Sequence, residues 1–445
     1  MKRLFLTAAA FFCVLVSFAR EDGMNCFGIV VGKDASIDGS VIFGHNEDDG
    51  GEQMLNMYSV PADPAKGTVR YLWAEFPGMT ASDAFMNGYG VCVASDNCMS
   101  REDRSDLSEG GVLYQVRVEV GSKARSARDG VRLLGEIVEK YGYSGSGRSY
   151  IIADPSEAWI CSIVKGRRWV AQRVPDDKVM TIPNYYVIAE VDMNDTANFK
   201  GSPDLIDYAV ERGWYKPETD GKFNFRKVYH NESTFARTSN IVRHKLVLSY
   251  LAGGDISYDV NEVRPMTAPC RKIGVLDVMN MLSLHQASEG NSHPAGVCTD
   301  ATVASTVFHL RSWLPREVGC VMWCCPGKPC AELYVPWHLG LETTPREWRR
   351  YDTVQEALEN HFKDADGKQA RWPEAAIWHY VDRWKEIASD YERAIAVRSR
   401  VKDRYQQKLL DAEARFVRRA SGMKPERIPA RELEFTRKCL KTSLK

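Results

Sequence analysis

The chain has 445 residues, 44% hydrophobic and 27% charged, with Lys+Arg and Asp+Glu both at 59 and no net formal charge. That is an ordinary globular composition, long enough for one large α/β domain with an appendage. The charge balance leaves no electrostatic case for nucleic acid or an anionic membrane as the main partner.

The head of the chain reads as a targeting segment. Lys2 and Arg3 precede the apolar run "LFLTAAAFFCVLVSFA", and Ser17 and Ala19 place small residues at the −3 and −1 positions of a cleavage site. The pattern predicts a signal peptide over residues 1–19 and export to the periplasm or the exterior. The run is shorter than the roughly 20 residues a membrane span needs. No later stretch is long and apolar enough, so no integral span is expected once the signal is gone.

Residues 20–25 are read as a short propeptide, and from Cys26 the elements follow in order. Ile29–Val31, a turn at Asp38-Gly39 and Val41–Phe43 read as strand, turn, strand. "AFMNGYGVCVASDN" is a second β-segment around a glycine-rich turn. From Ser126, the positions Val131, Leu133, Leu134, Ile137 and Val138 fall at helical spacing, and Gly142 closes the run. A strand meander spans "SYIIADPSEAWICSIVKGRRWVAQRVPDDKVMTIPNYYVI". Three helices follow, in "PDLIDYAVERGWY", "TSNIVRHKLVLSYLAGG" and "VLDVMNMLSLHQ", and then a β-hairpin pair turning at Pro326-Gly327. After about residue 346 the texture is charged and helical. Ile377, Tyr380, Trp384, Ile387 and Tyr391 repeat every three or four residues, as in a long amphipathic helix or helical hairpin. We read it as packed on its own domain, with a homo-oligomer seam as the alternative.

Cys26 is the candidate of most chemical interest. A cysteine there can be a disulfide half, a small core residue or a nucleophile. If residues 20–25 are removed, it carries a free α-amine beside its thiol. That amine has a pKa of about 8 and can act as a base near neutrality, so one residue supplies nucleophile and base together. The ten further cysteines of the mature chain allow pairing, but connectivity cannot be read from the sequence. "CCPGKPC" has no His–Cys partners at zinc spacing, and His285, His293 and His309 look scattered, so neither metal nor cofactor is expected.

"NCFGIVVGKDASIDGSVIFGHNED" resembles the opening of the C69 dipeptidase family, which includes the secernins, and more distantly bile salt hydrolases and penicillin V acylases. "MNGYGVCVASDN", "YIIADPSEAWICSI", "VAQRVPDDKVMTIPNYYVI", "SPDLIDYAVERGWYKPETDGKFNFRKVY" and the closing strands are similar to later family segments, in order, from about Cys26 to about Pro345. The resemblance implies an N-terminal-nucleophile hydrolase domain over residues 26–345, a four-layer αββα sandwich of α+β class. Residues 346–445 would be a helical extension. It implies amide hydrolysis of small peptides through an acyl-enzyme on Cys26. Asp48 would hold the α-amine, and Asn87 (main chain) and Asn184 (side chain) would form the oxyanion hole. Arg243, or alternatively Arg237, would stand near the thiolate. His45 and Asn46 would meet the substrate, His45 replacing an arginine common in relatives. Turn chemistry alone also accounts for Asn87-Gly88 and for Asn184 after Pro183. Two rival readings are a hydrolase of acylated amino acids or other linear amides, and a catalytically silent, secernin-like binding protein.

Overall fold

The structure, a computed structural model, describes residues 26–50, 55–235, 237–262, 266–287, 290–363 and 374–445. The expected signal peptide and propeptide lie outside the described residues. The strands run β1 (Phe27–Val31), β2 (Val41–Asp48), β3 (Asn56–Val60), β4 (Tyr71–Glu75), β5 (Ala84–Asn87), β6 (Cys92–Asn97), β7 (Tyr143–Ala153) and β8 (Ala158–Gly166). They continue as β9 (Trp169–Arg173), β10 (Val179–Ile182), β11 (Phe199–Gly201), β12 (Met266–Thr267), β13 (Thr302–Leu310), β14 (Cys320–Pro326) and β15 (Val335–His338). The longer helices are α1 (Tyr114–Lys123), α2 (Ala127–Tyr141), α3 (Thr238–Ala252), α4 (Val275–Leu282), α5 (Ile377–Ser389), α6 (Tyr391–Ala420) and α7 (Ile428–Ser443).

Two antiparallel sheets hold the core. One has the order β12-β10-β1-β2-β13-β14-β15, the other β11-β9-β8-β7-β6-β5-β4-β3. β1 lies centrally in the first sheet and is buried on both faces, which explains its unbroken FGIVV run. Glycine lets it approach the second sheet: a Cβ on Gly28 would fall 2.5 Å from Ile151 Cδ1 and 2.9 Å from Asp96 Oδ2.

Helices close both outer faces. Val116, Val120, Val131, Leu134 and Val138 of α1 and α2 pack with Phe85, Trp159 and Trp169 of the eight-stranded sheet. Each such burial contributes roughly 1.5–3 kcal/mol. On the outer face of the seven-stranded sheet α4 packs against Gly44 of β2, and α3 runs beside β10. The layers are therefore αββα, as the resemblance implied. α2 is capped by the Ser126 side chain, which accepts from Asp129 N, and ends at Gly142 as the sequence predicts.

One element differs from expectation. α1 was not expected: its valines alternate as in a strand, yet Val116 and Val120 sit one helical turn apart on the sheet-facing side. Arg117, buried between them, donates to Asp83 O and Ser95 Oγ. The long C-terminal helix breaks at Asp390 (φ −147°, ψ 67°) into α5 and α6. α6 lies on its own chain: Gln406 exchanges hydrogen bonds with the main chain of Tyr334, and Arg311 pairs with Glu413 at 2.6 Å. Thr436 of α7 donates to Pro336 O of β15. The cysteines of the described residues are free thiols, all buried except Cys270.

Candidate active site

Cys26 stands one residue ahead of β1 and is fully buried. Strand register selects its neighbours. Phe27 pairs with Asn46 across β1–β2, so Cys26 comes opposite Glu47. Gly28 pairs with Ile182 across β1–β10, so two residues back Cys26 comes beside Asn184. The Cys26 thiol donates to Glu47 Oε1 at 3.1 Å. Arg243, on α3, donates through Nη1 to Cys26 O at 3.1 Å and through Nη2 to Asn184 Oδ1 at 2.8 Å and Asn240 Oδ1 at 2.6 Å.

Alternation along β2 divides its polar end between two faces. His45 and Glu47 share the inter-sheet face with the Cys26 thiol and Asp96. His45 Nε2 lies 3.6 Å from Asp96 Oδ1, and its Nδ1 lies 3.8 Å from Glu47 Oε2. Asn46 and Asp48 point the other way. The Asn46 amide donates to Leu282 O at 2.9 Å and Val297 O at 3.0 Å, so it anchors α4 and the segment before β13 rather than facing the thiol. Asp48 accepts from Thr302 Oγ1 at 2.6 Å and lies 3.9 Å from Arg243 Nη1.

Asn184 adopts φ +60°, a left-handed conformation that asparagine tolerates better than most residues. Because Arg243 donates to its Oδ1, the amide is fixed with its NH2 toward Asn97 O, 3.1 Å away. Arg237 sits at the N-terminus of α3, where its carbonyl accepts from Asn240 N and Ile241 N. The guanidinium that reaches Cys26 is that of Arg243.

Asn87 is not part of this group. It ends β5 at the hairpin into β6, and its N–H already donates to Val91 O at 2.8 Å. Its side chain braces the same turn, accepting from Tyr89 N and Val91 N and donating to Ala124 O. Asp96, which faces β1, lies at the far end of β6, on the order of 15 Å away at strand rise. The residue of this motif that reaches the site is Asn97. Asn97, Glu47, Asp96, Asn240 and Thr302 were not singled out from sequence; the pairing register was the signal that could have found Glu47.

Burial, then the charges of Glu47, Asp96, Asp48 and Asp49, push the Cys26 thiol well above its ordinary pKa. Burial and Asp49 raise Glu47 well above the usual carboxylate range, against Arg117 and Arg148. Burial pushes Asp48 up to about 7, opposed by Arg243 and by the Thr302 hydrogen bond. The sulfur therefore holds its proton at rest, and attack on a carbonyl needs a base. Cys26, His45 and Glu47 also place ligating atoms within 4.8 Å of one another, so a soft divalent cation bound there would occupy the sulfur.

The family model described as peptidase family C69 matches residues 107–363, more than half of the chain. The chain belongs to peptidase family C69. Residues 26–106 of this C69 peptidase, Cys26 among them, precede the matched stretch. A probable dipeptidase of Salmonella dublin is 27% identical over 364 residues, covering 71% of this chain and 81% of the relative. A probable dipeptidase of Latilactobacillus sakei is 26% identical over 444 residues, covering 87% and 88%. Dipeptidase A of Lactobacillus helveticus is 24% identical over 373 residues, covering 73% and 77%. Among solved structures, a variant of conjugated bile acid hydrolase from Clostridium perfringens matches 68% of this chain and 89% of its own, at 10% identity and TM-score 0.28.

Proposed function

We propose that this C69 peptidase is an exported, cysteine-type dipeptidase in which Cys26, as the first residue of the processed chain, attacks the amide carbonyl. The observation that carries the reading is the buried Cys26 thiol standing beside carboxylate oxygens, Glu47 Oε2 and both oxygens of Asp96, that have no hydrogen-bond partner among the described residues. A nucleophile next to such oxygens suits a substrate with a free α-ammonium close to its scissile bond, which a dipeptide has and an acylated amino acid lacks. Family membership, the dipeptidase names of the relatives and the signal-like head support it.

The sulfur adds to the carbonyl carbon, and its proton passes to the α-amine of Cys26, whose pKa of about 8 suits that task. Removal of residues 20–25 by Cys26 itself or by another protease delivers the same amine. Asn184 Nδ2, oriented by Arg243, donates to the developing oxyanion. The C–N bond breaks, the proton moves to the leaving amine, and a thioester remains. Water then adds to the thioester, the sulfur regains a proton and the second product leaves as an acid.

The test pairs N-terminal sequencing of the secreted protein with a panel of dipeptides and their N-acetyl counterparts. We expect a chain beginning at Cys26, turnover of free dipeptides, and none in Cys26→Ala at unchanged circular dichroism. Turnover by Cys26→Ala, or by a chain that still carries residues 20–25, would overturn the mechanism. Equal turnover of the N-acetyl counterparts would overturn the dipeptide assignment and favour acylated amides.

A further inference from the structure

Two segments distant in sequence, residues 285–298 and the turn carrying Cys330, converge beside the start of β13. His285 follows α4 and His293 lies eight residues on. Residues 284–286 are drawn to residues 295–297 by the His285–Gly296 bridge and by bonds from Gln286 N to Ala295 O and Val297 N to Leu284 O. Cys298 precedes β13, and Cys330 follows the turn after β14. One ligating atom from each of the four residues lies within 4.8 Å of the other three.

The three spacings among Cys298, Cys330 and His293 match those of a tetrahedron around a metal ion, and His285 lies within 4.8 Å of each. Zn–S bonds of about 2.3 Å and Zn–N bonds of about 2.0 Å, at tetrahedral angles, separate two sulfurs by about 3.8 Å and sulfur from nitrogen by about 3.6 Å. Here Cys298 Sγ and Cys330 Sγ are 3.7 Å apart, and His293 Nε2 lies 3.8 Å from the first and 3.6 Å from the second. A disulfide would need the sulfurs at about 2.05 Å. The outer contacts suit a metal as well. His293 Nδ1 lies 3.1 Å from the Asp300 carboxylate without a well-aligned hydrogen bond, while its Nε2 faces the two sulfurs. His285 Nε2 is buried with no hydrogen-bond partner among the described residues.

We propose that His285, His293, Cys298 and Cys330 bind one zinc ion in a closed, four-ligand structural site, separate from Cys26. Four protein ligands leave no open position for water or substrate, so the ion braces the fold rather than acting on the peptide. What it braces is specific. The His293 ring packs on Trp384 and Tyr391, at centroid distances of 5.0 and 5.5 Å, tying the site to α5 and α6. Val297, beside Cys298, accepts from Asn46, and Thr302, four residues on, donates to Asp48.

The test uses the full chain, purified with thiols reduced. We expect about one zinc per chain by elemental analysis. After removal of zinc, cobalt(II) titration should produce the visible absorption of tetrahedral, thiolate-bound cobalt. Cys298→Ser should lose that spectrum. His285→Asn, at a half-buried position that spares the core, should weaken cobalt binding at least tenfold while circular dichroism stays unchanged. Cys26→Ala should bind cobalt as the parent does. The proposal is overturned if zinc is absent from the parent and cobalt gives no tetrahedral spectrum. It is equally overturned if the metal is lost with Cys26→Ala and kept in His285→Asn, or if mass spectrometry finds Cys298 joined to Cys330 as a disulfide in the active protein.

Discussion

After burial, Glu47 is the charge that most raises the proton affinity of the Cys26 thiol, and Glu47→Gln measures by how much. Glutamine keeps the shape and an acceptor oxygen for the thiol, so the substitution removes charge and little else. The hydrogen bond is 3.1 Å long, which puts the charge centres of a thiolate and a carboxylate about 4 Å apart. At an effective dielectric of about 20 their repulsion is about 4 kcal/mol, or roughly three pKa units at 1.36 kcal/mol each. Arg117 and Arg148 act on the same carboxylate and reduce this, so we expect the thiol midpoint to fall by roughly 1–3 units. The assay is the ultraviolet thiolate absorbance as a function of pH, taken as the difference between each protein and its Cys26→Ala counterpart, so that the other thiols cancel. A midpoint that stays put or rises in Glu47→Gln would refute the assignment of Glu47 as the principal charged neighbour.

Arg243→Met should abolish turnover and cost about 3–5 kcal/mol in urea unfolding, because it strips the partner from Cys26 O, Asn184 Oδ1 and Asn240 Oδ1 and leaves Asp48 buried without its counter-ion. A loss below 1 kcal/mol would show that the network is replaceable. Asn87→Ala should lower stability by about 1–3 kcal/mol by leaving Tyr89 N and Val91 N without their acceptor, with kcat per folded molecule unchanged. A collapse of kcat at full stability would show that the Asn87 side chain, and not only its turn, serves catalysis. Glu432 has both oxygens unpartnered among the described residues, and burial raises it to about 9. The folded state thus keeps a proton that the unfolded state releases, and stability is full below the ordinary carboxylate pKa and falls as pH rises toward 9. Glu432→Gln should remove that fall and stabilise the protein at pH 8 by on the order of a few kcal/mol, read from urea midpoints at pH 5 and pH 8.

Periodicity and punctuation in the sequence were enough to place α2, whose Ser126 cap and Gly142 stop are both local signals. They failed for α1, because Val116, Val118 and Val120 alternate as strand residues do. Only the sheet beneath, which takes Val116 and Val120 from one helical face, decides the matter. The first strand pair was legible from its own turn, and with it the position of Cys26. Of what surrounds Cys26, Asn184 and Arg243 were reached only through the family resemblance and Glu47 not at all, since strand pairing and the approach of α3 that bring them there are not local in sequence. Asn87 shows the converse. Its motif was visible, but a turn asparagine and an oxyanion asparagine look alike until the register shows that Asn97 occupies the end of β6 near the nucleophile. His285, His293 and the cysteines of "CCPGKPC" were weighed from the sequence, but nothing there joined them with Cys298, which 31 residues separate from Cys330.

The hydrogen bonds from α6 and α7 to Tyr334 and Pro336 give the last hundred residues a task that no motif announces. β15 is the outermost strand of its sheet, and an outermost strand with free main-chain groups is a template on which another chain can add a strand. The opposite border, β12, is two residues long and offers little to pair with. Gln406 and Thr436 take main-chain groups of the β15 segment that a foreign strand would use, and Pro336 contributes no donor at all. Cut back to residue 345, the chain would keep Cys26 and its neighbours but expose this border, and would be expected to fail through self-association before failing in chemistry.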